Sequence, residues 1–171
     1  MKSIEITGKR NIEGMSNIKN PQRKSVTSWN IDVSYFTYLK QIKLINSLYL
    51  EQSVEHTILA KREITKKIKG YKTQDIQKTL FDKDKIISLE QVIERLMESK
   101  LNCFYCRDHC EVLYKDVLSK KQWTLDRINN ALGHNHDNVV VCCLECNVKR
   151  GDMDSERFKR GKEIKIVRKL F

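Results

Sequence analysis

Proline and glycine are scarce in this chain: Pro21 is its single proline, and six glycines are spread over 171 residues. That composition excludes collagen-like and low-complexity architectures, and no internal repeat is visible. No stretch approaches the roughly 20 apolar residues that cross a bilayer. The opening MKSIEITGKRN lacks the apolar run of an export signal. The expectation is therefore a soluble, intracellular protein with no membrane partner. Acidic side chains are also in short supply, 22 against 33 basic ones, which leaves a formal charge of +11. A surplus of that size draws polyanions at long range and makes nucleic acid the leading partner class. Without an export signal the six cysteines are better read as reduced thiols or metal ligands than as disulfides.

Four segments follow from composition and periodicity. Residues 1–31 are polar and basic around KNPQRK and read as a flexible arm. Residues 32–100 read as helical. From Asp32 onward, Tyr35, Tyr38, Leu39, Ile42, Ile45 and Tyr49 recur at helical spacing and predict a core-facing stripe. A second helix is expected from about Ser53 to Lys69, ending at Gly70 with lysines in its last turn. A third is signed by Ser88 as cap, Gln91 as its capping-box partner and Ile87 stapled to Val92, and should stop near Lys100.

Cys103 and Cys106 form one Cys-x-x-Cys pair and Cys143 and Cys146 a second. Such a turn aims both sulfurs at one point, and two turns complete the tetrahedral shell that structural zinc prefers. The long separation between the pairs requires two knuckles that meet in space. Cys142 reads as a small core residue, and His109 and Cys110 are not needed as ligands. Between the pairs, Trp123 to Ile128 reads as a strand, Asn129 to Asn138 as a polar loop and Val139 to Cys142 as a second strand, with a helix from about Cys146. An α+β protein results, with the helical region followed by a small zinc-bound module at 101–154 and a basic C-terminal helix at 155–171 capped by Asp154 or Ser155.

The segment WTLDRINNALGHNHDNVVVCCLECNVKRGD resembles the HNH endonuclease superfamily, whose treble-clef or ββα-metal fold often carries such knuckles. The similarity rests on both cysteine pairs, Leu125-Asp126, Asn138 before an apolar strand, and Cys146-Asn147 followed by Lys149 and Arg150. It is nearest to variants reading Leu-Asp-Arg-Ile, Gly-His and Asn-Val-Val, which occur in phage and large-virus proteins. The resemblance implies a metal-dependent endonuclease acting on phosphodiester bonds in DNA. Asp126 and Asn147 would hold a catalytic magnesium or manganese ion, hard cations that take oxygen ligands. Asn138 would orient the catalytic histidine or brace its loop.

One departure matters. The position after the strand aspartate, the family's general-base histidine, is Arg127. A guanidinium cannot take a proton at neutral pH. That role passes to His134, or secondarily to His136, with Arg127 on a phosphate oxygen. Lys66, Lys67, Lys149, Arg150, Lys159 and Arg160 are the expected nucleic-acid contacts. Each residue also has a plainer reading as an ion pair, a solvated loop side chain or a cap. Two rival functions follow: a non-catalytic zinc module that binds nucleic acid, and a structural or assembly protein stapled by zinc.

Overall fold

The computed structural model describes residues 29–164; the basic arm around Pro21 and the end of the tail, including Val167 and Phe171, lie outside them. The described chain is α+β. A 3-10 turn, Val33–Phe36, leads into α1 (Tyr38–Tyr49), α2 (Thr57–Gln77) and α3 (Leu89–Glu98). An irregular segment carrying the first cysteine pair follows. Then come β1 (Trp123–Arg127), β2 (Val139–Cys143), α4 (Leu144–Arg150) and α5 (Ser155–Glu163). No described helix is long and apolar enough to cross a membrane.

The first helix starts later than its apolar spacing predicts. Asp32 caps the 3-10 turn instead, accepting from the Ser34 amide at 2.9 Å. Of the expected stripe, Leu39 is 72% and Tyr49 46% exposed, and the buried face is Gln41, Leu44 and Ile45. Hydrogen bonding explains the rotation. Gln41 donates from Nε2 to the Leu113 carbonyl at 2.7 Å, and its Oε1 accepts from the Val112 and Leu113 amides at 2.6 and 3.1 Å. One buried amide thereby satisfies three backbone groups of an irregular segment that has no ladder of its own.

The second helix does not end at Gly70. A Cβ there would meet nothing within 4 Å, so the glycine sits on the solvent side and costs only its propensity, about 1 kcal/mol. Beyond it, Tyr71 and Asp75 are buried on the same face as Ala60 and Ile64, and their anchoring carries the helix on. The third helix has the full capping box, with Ser88 Oγ accepting from the Gln91 amide and Gln91 Oε1 from the Ser88 amide.

β1 and β2 pair antiparallel, with Trp123 opposite Cys143 and Arg127 opposite Val139. α4 begins two residues before its expected start because Cys143 is its cap, its sulfur accepting from the Cys146 amide at 3.4 Å. Asp154 caps α5 through the Arg157 amide at 2.9 Å. A single buried cluster joins Leu44, Ile45, Ile64, Val92 and Leu96 of the helices to Leu101, Tyr105, Leu113, Trp123 and Leu125 of the cysteine-bearing part. The helices thus form the floor on which the two knuckles are assembled.

Candidate metal centre and the polar network beside it

The two cysteine pairs meet because the first knuckle is tied to the strand that leads into the second. The Phe104 amide donates to the Val141 carbonyl at 2.9 Å, and β2 then delivers Cys143 directly. Within the first knuckle the Arg107 amide donates back to the Cys103 carbonyl at 3.0 Å, with Arg107 at φ 64°. The ligand atoms of Cys103, Cys106, Cys143 and Cys146 all lie within 4.8 Å of one another. The Cys106 and Cys143 sulfurs are 3.9 Å apart. A tetrahedral ion with metal–sulfur bonds of about 2.3 Å spaces its sulfurs by about 3.8 Å, so the set fits a metal ion such as zinc.

Hydrogen bonding from Cys110, then from Cys143, holds the Cys103 thiol far below its ordinary range. The same bond to Cys103, together with burial, drives Cys110 upward. Burial pushes Cys106 up to about 12. Cys110 is thus the sulfur that sequence spacing left without a part, placed beside the four. Cys142 is fully buried and takes a contact from the Thr124 hydroxyl at 3.2 Å. His109 stacks on Tyr38 with ring centroids 3.7 Å apart, away from any ligand role.

Asp126 lies on β1 and is 6% exposed. Arg150 of α4 donates to its Oδ1 at 2.6 Å, and the Tyr105 hydroxyl donates to its Oδ2 at 2.6 Å. The same guanidinium also donates to the Arg127 and Ile128 carbonyls at 2.7 and 3.2 Å. Both carboxylate oxygens are therefore engaged, and the cation already facing them is an arginine. Asn147 uses its amide nitrogen on the Thr124 hydroxyl at 3.0 Å and the Leu125 carbonyl at 3.2 Å, binding α4 to β1. A hard divalent ion at Asp126 and Asn147 would have to displace the Arg150 guanidinium, and the residues present do not fit it.

Arg127 points into the loop, donating to the Asn130 and Leu132 carbonyls at 3.3 and 3.1 Å. Asn138 braces that loop: its Oδ1 accepts from the Asn129 amide at 2.9 Å, and its Nδ2 donates to the Asn129 and Gly133 carbonyls at 3.0 Å each. His134 is 5% exposed and stacked on Tyr71, and its Nδ1 lies 2.7 Å from Asp75 Oδ1. The other Asp75 oxygen accepts the His134 amide at 2.7 Å. Burial lowers the His134 pKa, with the Asp75 bond working against it. His136 is exposed, and its backbone is pinned to the Lys85 carbonyl at 3.0 Å.

Asp75 is the residue that sequence reasoning missed, because the helix carrying it was expected to end at Gly70. The available signal was Tyr71 followed by Asp75 one helical turn later, in register with Ala60 and Ile64. Gly133 gives this contact its room, since a Cβ there would come within 2.5 Å of the Leu80 carbonyl oxygen and 2.9 Å of Asp75 Oδ2.

Two of the expected nucleic-acid cations turn inward, which corrects their assignment. Arg150 is the buried partner of Asp126. Lys67 donates to Gln122 Oε1 at 3.0 Å and to the Trp123 carbonyl, lies 4.8 Å from the Trp123 ring centre, and is lowered to about 8 by burial. Lys66 and Arg160 are exposed. Lys149 is exposed too but pairs with Glu145 at 2.9 Å, and Lys159 lies 4.4 Å above the Phe104 ring.

No family model matches the chain, and no solved structure matches it. A curated relative, "Uncharacterized protein R423" of Acanthamoeba polyphaga mimivirus, is 34% identical over 88 residues. That match covers 52% of this chain and 14% of the relative's length, so about half of the chain corresponds to a small part of that protein.

Proposed function

We propose that this chain is a zinc-stapled, HNH-like treble-clef module that binds nucleic acid, DNA in the first instance, and does not hydrolyse it. The observation that carries this reading is the closed state of Asp126, whose two oxygens are taken by Arg150 and Tyr105 at 2.6 Å each. Arg127, at the general-base position, spends its guanidinium on loop carbonyls. Exposed cations are also present, Lys66 on α2 and Arg160 and Lys162 on α5. Zinc would be held by Cys103, Cys106, Cys143 and Cys146, supplying folding energy to a part with a two-stranded sheet and two short helices.

The endonuclease reading keeps one supporting observation, the His134–Asp75 pair, since a histidine oriented through Nδ1 by a buried carboxylate is built like a general base. In that reading Asp126 and Asn147 would take magnesium or manganese only after Arg150 withdraws. One experiment separates the two. Labelled DNA is titrated with the zinc-loaded protein at low and moderate salt, and cleavage is followed with magnesium and with manganese beside Asp126→Ala. The proposal expects affinity that falls steeply with salt through counterion release and no cleavage above the variant. Charge reversal at Lys159 and Arg160 should weaken binding. Cleavage that disappears in Asp126→Ala would replace this reading with the endonuclease, and salt-independent affinity would favour an assembly protein.

A further inference from the structure

The first knuckle carries a partly buried aromatic ring with two cations over it. Phe104 is partly buried, and it meets Tyr105 edge to face with centroids 5.2 Å apart at 79°. Tyr105 is itself 1% exposed and fixed on Asp126, so the ring is braced from below. Above it stand Lys159 of α5 at 4.4 Å and Arg107 at 5.9 Å from the ring centre. From Phe104 a groove of about 460 Å³ follows β2 past Val141 and Val139 to Asn102 and Arg95. Glu98 is the carboxylate on its wall, and Arg95 already pairs with it at 3.4 Å.

We infer that this groove is a binding site for unpaired nucleic acid, with a base stacked on Phe104 and the flanking phosphates on Lys159 and Arg107. The inference rests on the nucleic-acid reading above and narrows it to single strands. A duplex keeps its base faces inside the stack, so an aromatic ring on a groove floor is of use only to an unpaired base. Both cations reach the ring through long flexible side chains. A base can take their place over the ring while their charge moves to the phosphates on either side. The knuckle is preorganised for this, because its backbone is hydrogen-bonded to the Val141 carbonyl at 2.9 Å and its cysteines belong to the metal centre.

The test uses the zinc-loaded full chain with a fluorescein-labelled dT12 strand and a labelled duplex of 12 base pairs, read by anisotropy. Phe104→Leu keeps an apolar contact for Tyr105 and removes the π-face. It should weaken the single strand roughly tenfold, with an unchanged salt slope and unchanged duplex affinity, whereas Phe104→Tyr should bind as the parent does. Lys159→Ala should weaken the single strand and flatten its salt slope. Because a knuckle variant could lose its metal, the wild-type chain is also photocrosslinked to a strand carrying 5-iododeoxyuridine, and the adduct is expected on the peptide containing Phe104. An adduct elsewhere, or equal losses of strand and duplex in Phe104→Leu, overturns the inference. Binding of duplex without single strand overturns it while leaving the nucleic-acid reading intact. Binding of neither at low salt removes both.

Discussion

Replacing Arg150 by methionine removes the cation that faces Asp126 and leaves most of the side-chain volume in place. The pair is enclosed, with side-chain exposures of 1% for Arg150 and 8% for Asp126. The change leaves a buried carboxylate with Tyr105 as its remaining donor, and strips the Arg127 and Ile128 carbonyls of the guanidinium they share. Breaking one side of such a pair costs about 3–5 kcal/mol, far more than the pair contributes over a well-packed apolar substitute. The guanidinium is not perfectly served even in the native fold, since its Nε is buried without a partner. Asp126→Leu combined with Arg150→Met should therefore recover a large part of the loss instead of adding to it. The assay is urea unfolding of the metal-loaded protein followed by tryptophan fluorescence, which reports the fully buried Trp123. A single-variant cost under about 1 kcal/mol, or strictly additive costs in the double variant, would refute the reasoning from uncompensated charge.

Three further outcomes are expected. Elemental analysis should find tightly held zinc, with Cys143→Ser losing metal and structure by circular dichroism and Cys142→Ser milder because Thr124 still offers it a partner. Gly133→Ala should cost about 1–3 kcal/mol through its collision with the Leu80 carbonyl and Asp75, while Gly70→Ala, meeting nothing, should gain about 0.5–1 kcal/mol in the same unfolding assay. His134 has its pKa lowered by burial from 6.5, so the unfolded chain binds this proton first. Its contribution is fully present above about pH 6.5 and declines as the pH falls towards the folded value. Stability measured across that window should fall on acidification, and His134→Gln should flatten the slope.

The order of elements could be read directly from the chain because each signal is local. Ser88 and Gln91 complete a capping box within one turn, and two Cys-x-x-Cys spacings announce two knuckles wherever they end up in space. The α+β character and the four-sulfur cluster follow from such signals. Local spacing misled where a distant partner decided the outcome. α1 turned its Gln41 face inward for the Val112 and Leu113 amides, and α2 ran past Gly70 because Tyr71 and Asp75 are held by Leu125 and His134.

The site divides along the same line. Sequence alone stated which side chains are on offer: a strand aspartate followed by an arginine, a Gly-His loop, two asparagines and four paired cysteines. Only the tertiary structure decided what each faces. It set Arg150 against Asp126 across 24 residues and Asp75 against His134 across 59, and it took Lys67 out of the exposed basic surface. Charge and hydrogen-bonding capacity are properties of a side chain, and the sequence states them. Whether a carboxylate meets a guanidinium or stands open to a cation depends on a few ångströms between segments far apart in the chain, which packing alone fixes.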